Sequence, residues 1–276
     1  TLGGARREGE REPVSGRRHE SSFTKRSKKE DNKTKIKLIA PSEQGENSVS
    51  SPETFKVQRL SLPLLAAITP AGHTVTIVDE AFAADDVKED VDLVGITVMS
   101  DLAKRAYHLG DRYRRRGVKV VMGGVHSTVL PDESLEHADS VVVGEAEEVW
   151  PRVVSDAASG KMEKLYRAGR MTDLKNMPRP RRDLYPRRAY KSYTPSALGI
   201  EASRGCPYDC EFCSIGHVMG HQYRLRPVPE VISEIESLDS AHLFFVDDSL
   251  GLNRSAAKKL FTEMIPLQRL WVGQGG

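Results

Sequence analysis

Five short runs rich in β-branched residues constrain this chain most: KIKLIA (35–40), HTVTIVD (73–79), VDLVGITV (91–98), VKVVMGG (118–124) and SVVVGE (140–145). Each is bounded by Gly, Pro, Asp or Ser and is apolar nearly throughout, the pattern of a parallel strand buried on both faces. Helical patterns stand between them: LSLPLLAAI before the second run, LAKRAYHLGDRYRRRG before the fourth, PDESLEHA before the fifth and AEEVWPRVVSDAASG after it. Strand alternating with helix predicts an α/β fold, an open, doubly wound parallel sheet of the Rossmann or flavodoxin kind. A ligand then sits beyond the carboxyl ends of the strands. This first domain is expected over residues 34–160.

Residues 1–33 carry almost no large apolar side chains and mix both charge signs, so burial cannot offset the entropy of ordering, and they read as a disordered tail. Residues 161–195 hold Pro178, Pro180, Pro186 and Pro195 amid Arg and Tyr, which reads as a linker. A second strand and helix series occupies 196–276: the strand SALGIEA, a cysteine loop, a helix over PVPEVISEIESL, the strand HLFFVDD, a helix over RSAAKKLFTEMIPL and the strand LWVGQ. A closed barrel of such units takes roughly 200 or more residues, so the chain is expected to stop inside its second domain. A three-stranded lobe complete in itself is the alternative.

Lys plus Arg total 41 and Asp plus Glu 39, a net charge of +2, which gives no global argument for nucleic acid or an anionic membrane. No apolar run reaches the roughly 18–20 residues a spanning helix needs, and no signal-peptide core is visible, so the cytoplasm is the expected location.

All three cysteines, Cys206, Cys210 and Cys213, fall in the stretch EASRGCPYDCEFCSIG (201–216). Three clustered thiols make no disulfide framework; in a reducing compartment they remain thiolates for metal. A four-iron, four-sulfur cluster takes four ligands, so three leave one iron open. Structural zinc is the competitor, with His217 completing a Cys3His set, although no second ligand pair stands elsewhere in the chain.

The string CPYDCEFC, with an aromatic at Phe212 before the third cysteine, resembles the signature of the radical S-adenosylmethionine (SAM) enzymes. The resemblance implies a partial (β/α) TIM-like barrel with the 4Fe-4S cluster, held by Cys206, Cys210 and Cys213, in the loop after its first strand. It implies that the open iron binds SAM, whose reductive cleavage gives a 5′-deoxyadenosyl radical. Phe212, Asp248 and Gln274 then lie at SAM-binding positions, with Asp247 and Asn253 in the same stretch as Asp248; capping of the following turn or helix is the other reading of Asp247 and Asp248. The family's Gly-Gly-Glu tripeptide after the second strand is absent. Arg226 faces either the active site or the surface.

Ahead of such a barrel, a doubly wound domain with GITV, GGVHSTVLPDE and VVGEAEE at its strand ends resembles the cobalamin-binding domain of the cobalamin-dependent radical SAM group. The implied cobalamin contacts are Gly123, Gly124, His126, Thr128, Gly144 and Glu145. An ordinary tight turn would ask for the two adjacent glycines as well. Many cobalamin domains offer a lower-face histidine in an Asp-x-His-x-x-Gly motif after the first strand. Here that loop, PSEQGENSVSSPETFKVQR, has none.

The implied activity is C-methylation of an unactivated carbon in a small-molecule or lipid substrate, with an electron donor such as flavodoxin or ferredoxin. A radical SAM cyclase or mutase, or a truncated cofactor-binding remnant without turnover, are the alternatives.

Overall fold

The computed structural model describes residues 1, 33–42, 59–185 and 197–275. Most of the expected tail, most of the loop after the first strand and the end of the expected linker with Pro186 and Pro195 lie outside the described residues.

The strand β1 (Lys35–Ala40) lies inside a six-stranded, all-parallel sheet with β2 (Thr74–Asp79) on one side and β3 (Leu93–Thr97), β4 (Lys119–Gly123), β5 (Ser140–Val143) and β6 (Leu165–Arg167) on the other. Leu38 of β1 pairs with Ile77 of β2 and with Gly95 of β3. The winding therefore reverses between β1 and β3, the place where an open α/β sheet parts its loops to form a crevice.

Helices α1 (Ser61–Ile68) and α5 (Trp150–Ser159) cover one face, burying Leu38, Leu62, Leu93, Trp150 and Val153. Helix α2 (Ala103–Arg115) and the short α3 (Val125–Val129) and α4 (Pro131–His137) connect the strands on the other, where Ile39, Val94, Ile96, Leu109, Tyr113 and Val120 are buried. Coverage on both faces is why the strands read as continuous apolar runs.

One position breaks that pattern. Lys37 is wholly buried in β1, its ammonium group 3.1 Å from Asp85 and 2.5 Å from Glu89, and it donates to the Asp86 carbonyl at 2.9 Å and the Tyr113 hydroxyl at 3.1 Å. A buried charge persists when paired and hydrogen-bonded in this way.

The stretch expected to be a linker contributes to the sheet. Leu165–Arg167 forms β6 against β5, because Tyr166 buries its ring and its hydroxyl donates to Asp156 at 2.8 Å. Three residues are too few to show a period. Beyond β6, Leu174 and Tyr185 are buried, and the Tyr185 hydroxyl donates to the Arg59 carbonyl at 3.1 Å.

The second sheet is parallel, with order β11 (Leu270–Gly273), β10 (His242–Phe245), β7 (Leu198–Ile200). Helices α7 (Val228–Glu236) and α8 (Arg254–Met264) pack on it over Ile200, Ile235, Leu243, Phe245 and Leu260. Asn253 caps α8, its side-chain oxygen accepting from Ala256 N at 3.0 Å. Between β7 and α7 the chain makes an antiparallel ribbon, β8 (Ser203–Arg204) with β9 (Arg224–Leu225), and the short α6 (Ile215–Met219); the sequence predicted neither. Both sheets belong to one unit, Asn32–Gly276. No helix among the described residues is long and apolar enough to cross a membrane.

Candidate functional site

A cavity of about 920 Å³ lies where the carboxyl ends of the two sheets meet. Its floor is apolar, made by Leu38, Leu62, Leu64, Val121, Val142 and Trp150; its rim carries Gly123, Gly124, Thr128, Gly144 and Glu145, and its far wall Glu201, Arg204, Phe244 and Asp248. Ligand pockets of this kind run from roughly 300 to 1,000 Å³, so this one suits a large cofactor.

Glycines shape two places in it. At Gly95 an added Cβ would stand 2.9 Å from Leu38 and 3.3 Å from the Trp150 ring, so the missing side chain lets Trp150 settle on the sheet. Gly124, at φ 101°, turns the chain from β4 into α3, and a Cβ there would press on Thr97 Oγ1 and the Val98 carbonyl, each at 3.0 Å. Thr128 joins two rim loops: its hydroxyl donates to the Gly124 carbonyl at 2.8 Å and accepts from Gly144 N at 3.0 Å.

His126 is placed differently from its neighbours. Its ring is buried, hydrogen-bonded to Tyr107 OH at 2.8 Å and Ser100 Oγ at 3.2 Å, and does not line the cavity. Short helix α3 sets this: Thr128 falls on the rim while the residue two before it faces α2.

Glu145 reaches across to the ribbon. Both of its oxygens accept from Arg224, one at 2.8 Å, and Arg204 lies 3.3 Å away. Burial would raise the carboxyl's pKa, but the Arg224 hydrogen bonds, the Arg204 charge and the Thr172 amide at 2.9 Å hold it down, to about 2. Arg204 in turn donates to Glu147 at 2.7 Å and to Glu201 at 2.9 and 3.0 Å. Burial opposes its charge, yet these carboxylates raise its pKa above the ordinary guanidinium value. Arg204, Arg224, Glu147 and Glu201 were not singled out from sequence. The network's links between the two sheets span 57 to 79 residues of sequence, which no local pattern reveals.

The cysteine loop opens at Gly205, φ 86°, where a Cβ would fall 2.4 Å from the Gln222 carbonyl. Cys206 and Cys213 are half-buried, Cys210 is exposed, and all three are free thiols. Cys213 N donates to the Cys210 carbonyl at 2.9 Å in a tight turn. Among the described residues no three potential ligands already converge on a metal position. The donor set itself, three soft thiols in one loop at the carboxyl end of a parallel strand, is of the right chemistry for an iron–sulfur cluster. His217 lies in α6, edge-on to His221.

Of the expected SAM positions, Asp248 lines the cavity, whereas Phe212 is 93% exposed and Gln274, also exposed, meets its neighbours through a carbonyl that accepts from Leu250 N at 2.9 Å. Asp247 is buried and accepts from Ala202 N at 3.1 Å and from Ser203 Oγ at 2.5 Å. Burial pushes its pKa up to about 6, against the lowering effect of those bonds. Arg226 faces neither cavity nor solvent; it pairs with Glu234 at 2.8 Å and donates to the Glu201 carbonyl at 2.8 Å.

Residues 54–154 match the B12 binding domain family. The bacteriochlorophyllide d C-8(2)-methyltransferase of Chlorobaculum tepidum is 31% identical over 74% of this chain and 48% of its own length, and the hopanoid C-2 methylase of Rhodopseudomonas palustris is 27% identical over 75% and 40%. The chain thus spans about half the length, or less, of these curated relatives. Among solved structures, the radical SAM methyltransferase TsrM from Kitasatospora setae superimposes with a TM-score of 0.66 at 19% identity, covering 85% of this chain and 51% of that one, a likeness of fold. Sheet, cysteine loop and relatives agree: the chain belongs to the radical SAM enzymes that carry a cobalamin-binding domain.

Proposed function

We propose that this chain serves a cobalamin-dependent radical SAM methyltransferase activity that methylates an unactivated carbon of a large, mainly apolar small molecule or lipid. The observation that carries this reading is that one cavity is bounded by the glycine rim of the first sheet and the stem of the cysteine loop. The curated relatives' names, which specify methylation of a bacteriochlorophyllide and of a hopanoid, support the reaction and the apolar substrate class.

Cys206, Cys210 and Cys213 would hold the 4Fe-4S cluster, and Gly123, Gly124, Thr128 and Gly144 would border cobalamin over the apolar floor. Bound there, the cluster supplies the electron that cleaves SAM, and cobalamin carries the methyl group. The chain's own part is positioning and shelter. Leu62, Leu64, Val142 and Trp150 keep water from the floor, and Arg204 enters the wall already matched by Glu145, Glu147 and Glu201. An electron donor such as flavodoxin or ferredoxin completes the proposal.

Anaerobic reconstitution with iron, sulfide and cobalamin tests it. The expected result is iron uptake that disappears when the three cysteines are replaced by Ala, binding of cobalamin, and transfer of label from methyl-labelled SAM to a product. Zinc in place of iron, with no cobalamin bound, would overturn it. Label that stays out of product while SAM is cleaved would point to the cyclase or mutase chemistry.

A further inference from the structure

We propose that Asp247 and Asp248, the acidic pair just beyond β10, are positioning residues that fix the stem from which the cysteine loop departs. The cluster part of this inference rests on the reading above; the geometric part does not.

Strands β7 and β10 run parallel, and the last backbone bond between them is Val246 N to the Ile200 carbonyl at 2.9 Å. Beyond it the two chains part, and the amides of Ala202 and Gly205 would be left without a strand partner. The carboxylates supply one. Asp247 turns inward, where it is 2% exposed, and takes Ala202 N and the Ser203 hydroxyl; Asp248, one residue on and so facing the other way, takes Gly205 N at 2.8 Å. Side chains thus continue the pairing over the residues that end immediately before Cys206.

The opposite flank is held as well. Arg226 N donates to the Ala202 carbonyl at 2.9 Å, the Arg226 guanidinium reaches the Glu201 carbonyl, and Gly205 sits against Gln222 with no room for a Cβ. No cation pairs with Asp247 or Asp248 among the described residues. Burying a carboxylate that neutral donors alone satisfy is costly, and capping a turn would not require it. The cost is understandable where the direction of the chain matters. It matters here, because three thiols follow within eight residues and must share one small inorganic group.

This assigns Asp248 to the loop and not to the SAM ammonium group, and the two roles separate by substitution. Asp248→Asn keeps an oxygen that accepts from Gly205 N but loses the charge. Asp248→Ala and Asp247→Ala lose the acceptor. Hydrogen exchange of the peptide around 201–206 is measured on metal-free chain, iron and sulfide content after reconstitution, and SAM affinity by equilibrium binding.

Each alanine variant should speed exchange in this peptide by about tenfold, as expected for one lost buried bond, and should lower retained iron, while Asp248→Asn should resemble the wild type in exchange, iron and SAM affinity. Exchange unchanged in both alanine variants overturns the proposal whether or not a cluster assembles. Loss of SAM affinity in Asp248→Asn with normal iron overturns the assignment of Asp248. Should Asp247→Ala not fold, Ser203→Ala removes the same hydroxyl contact and should give a smaller rise in exchange; no rise counts against the role of Asp247. A wild-type chain that takes up no iron defeats the functional reading above, and exchange still decides the positioning role.

Discussion

In the six-stranded sheet the rim loops rise from strands buried on both faces, with Leu38, Val94 and Val120 fully enclosed, whereas over the described residues of the three-stranded sheet a single core cluster lies beneath the strands. The first sheet carries its glycine-lined loops on that buried layer, with Thr128 joining Gly124 and Gly144 through two hydrogen bonds. In the second, charged side chains border the loop stem, with Asp247 and Asp248 accepting from its amides and Arg226 paired with Glu234. Order at a loop comes either from hydrophobic depth below it or from directed polar bonds beside it. Among the described residues both are present on each side of the cavity, with buried apolar depth greater beneath the glycine rim and carboxylate bonds denser beside the cysteine loop.

The sharpest way to break that contrast is at the two tryptophans. Trp150 is 2% exposed, sits on Gly95 and donates through its indole N–H to Thr69 at 2.9 Å. Trp150→Ala should cost about 3–5 kcal/mol, as large aromatic deletions in a core do, read from the denaturant midpoint. Equal stability in that variant would mean that the first sheet does not depend on depth.

Glu145 gives the next effect, because it spans the two sheets. Its pKa is depressed to about 2, so its contribution is present above the ordinary carboxylate range and is lost as the pH falls toward 2. Integrated over that window, the stabilisation lost is at most about 3 kcal/mol. Glu145→Gln should therefore be less stable than wild type near neutral pH, with the difference closing on acidification; a constant difference would show that Arg224 and Arg204 do not hold this carboxylate. The smallest change belongs to Trp271→Ala. That ring stacks on Phe261 at 4.8 Å but is 42% exposed, and its removal should cost under about 1 kcal/mol. A cost matching that of Trp150 would erase the contrast.

The strands were legible because a strand covered on both faces has a composition of its own, and the helices because their apolar faces repeat. Lys37 went unremarked inside KIKLIA, since a buried charge is explained only by Asp85 and Glu89, which lie 48 and 52 residues on. The sixth strand was hidden by brevity and by the prolines that follow it. At the site, the cysteine spacing carries its chemistry on its face. The direction of His126 does not: it stands where a ligand would be met, and only the third dimension shows it turned toward Tyr107, whereas Asp248 lines the cavity and also accepts from Gly205 N. The network of Glu145, Arg204 and Arg224 was invisible for the same reason as the partners of Lys37.

The order of residues along the chain gives the acidic pair a further consequence. Cys206 precedes Asp247 and Asp248 by about forty residues, so on the ribosome the three thiols are made before the groups that aim them. At synthesis rates of about 5–20 residues per second, an interval of seconds separates the appearance of the sulfur donors from the completion of their stem. Until β10 has docked beside β7, the segment that carries those thiols lacks the hydrogen bonds that Asp247 and Asp248 give its stem. On the proposed reading, insertion of a cluster is expected after that docking step, so that the end of β10 would act in assembly as well as in the finished fold.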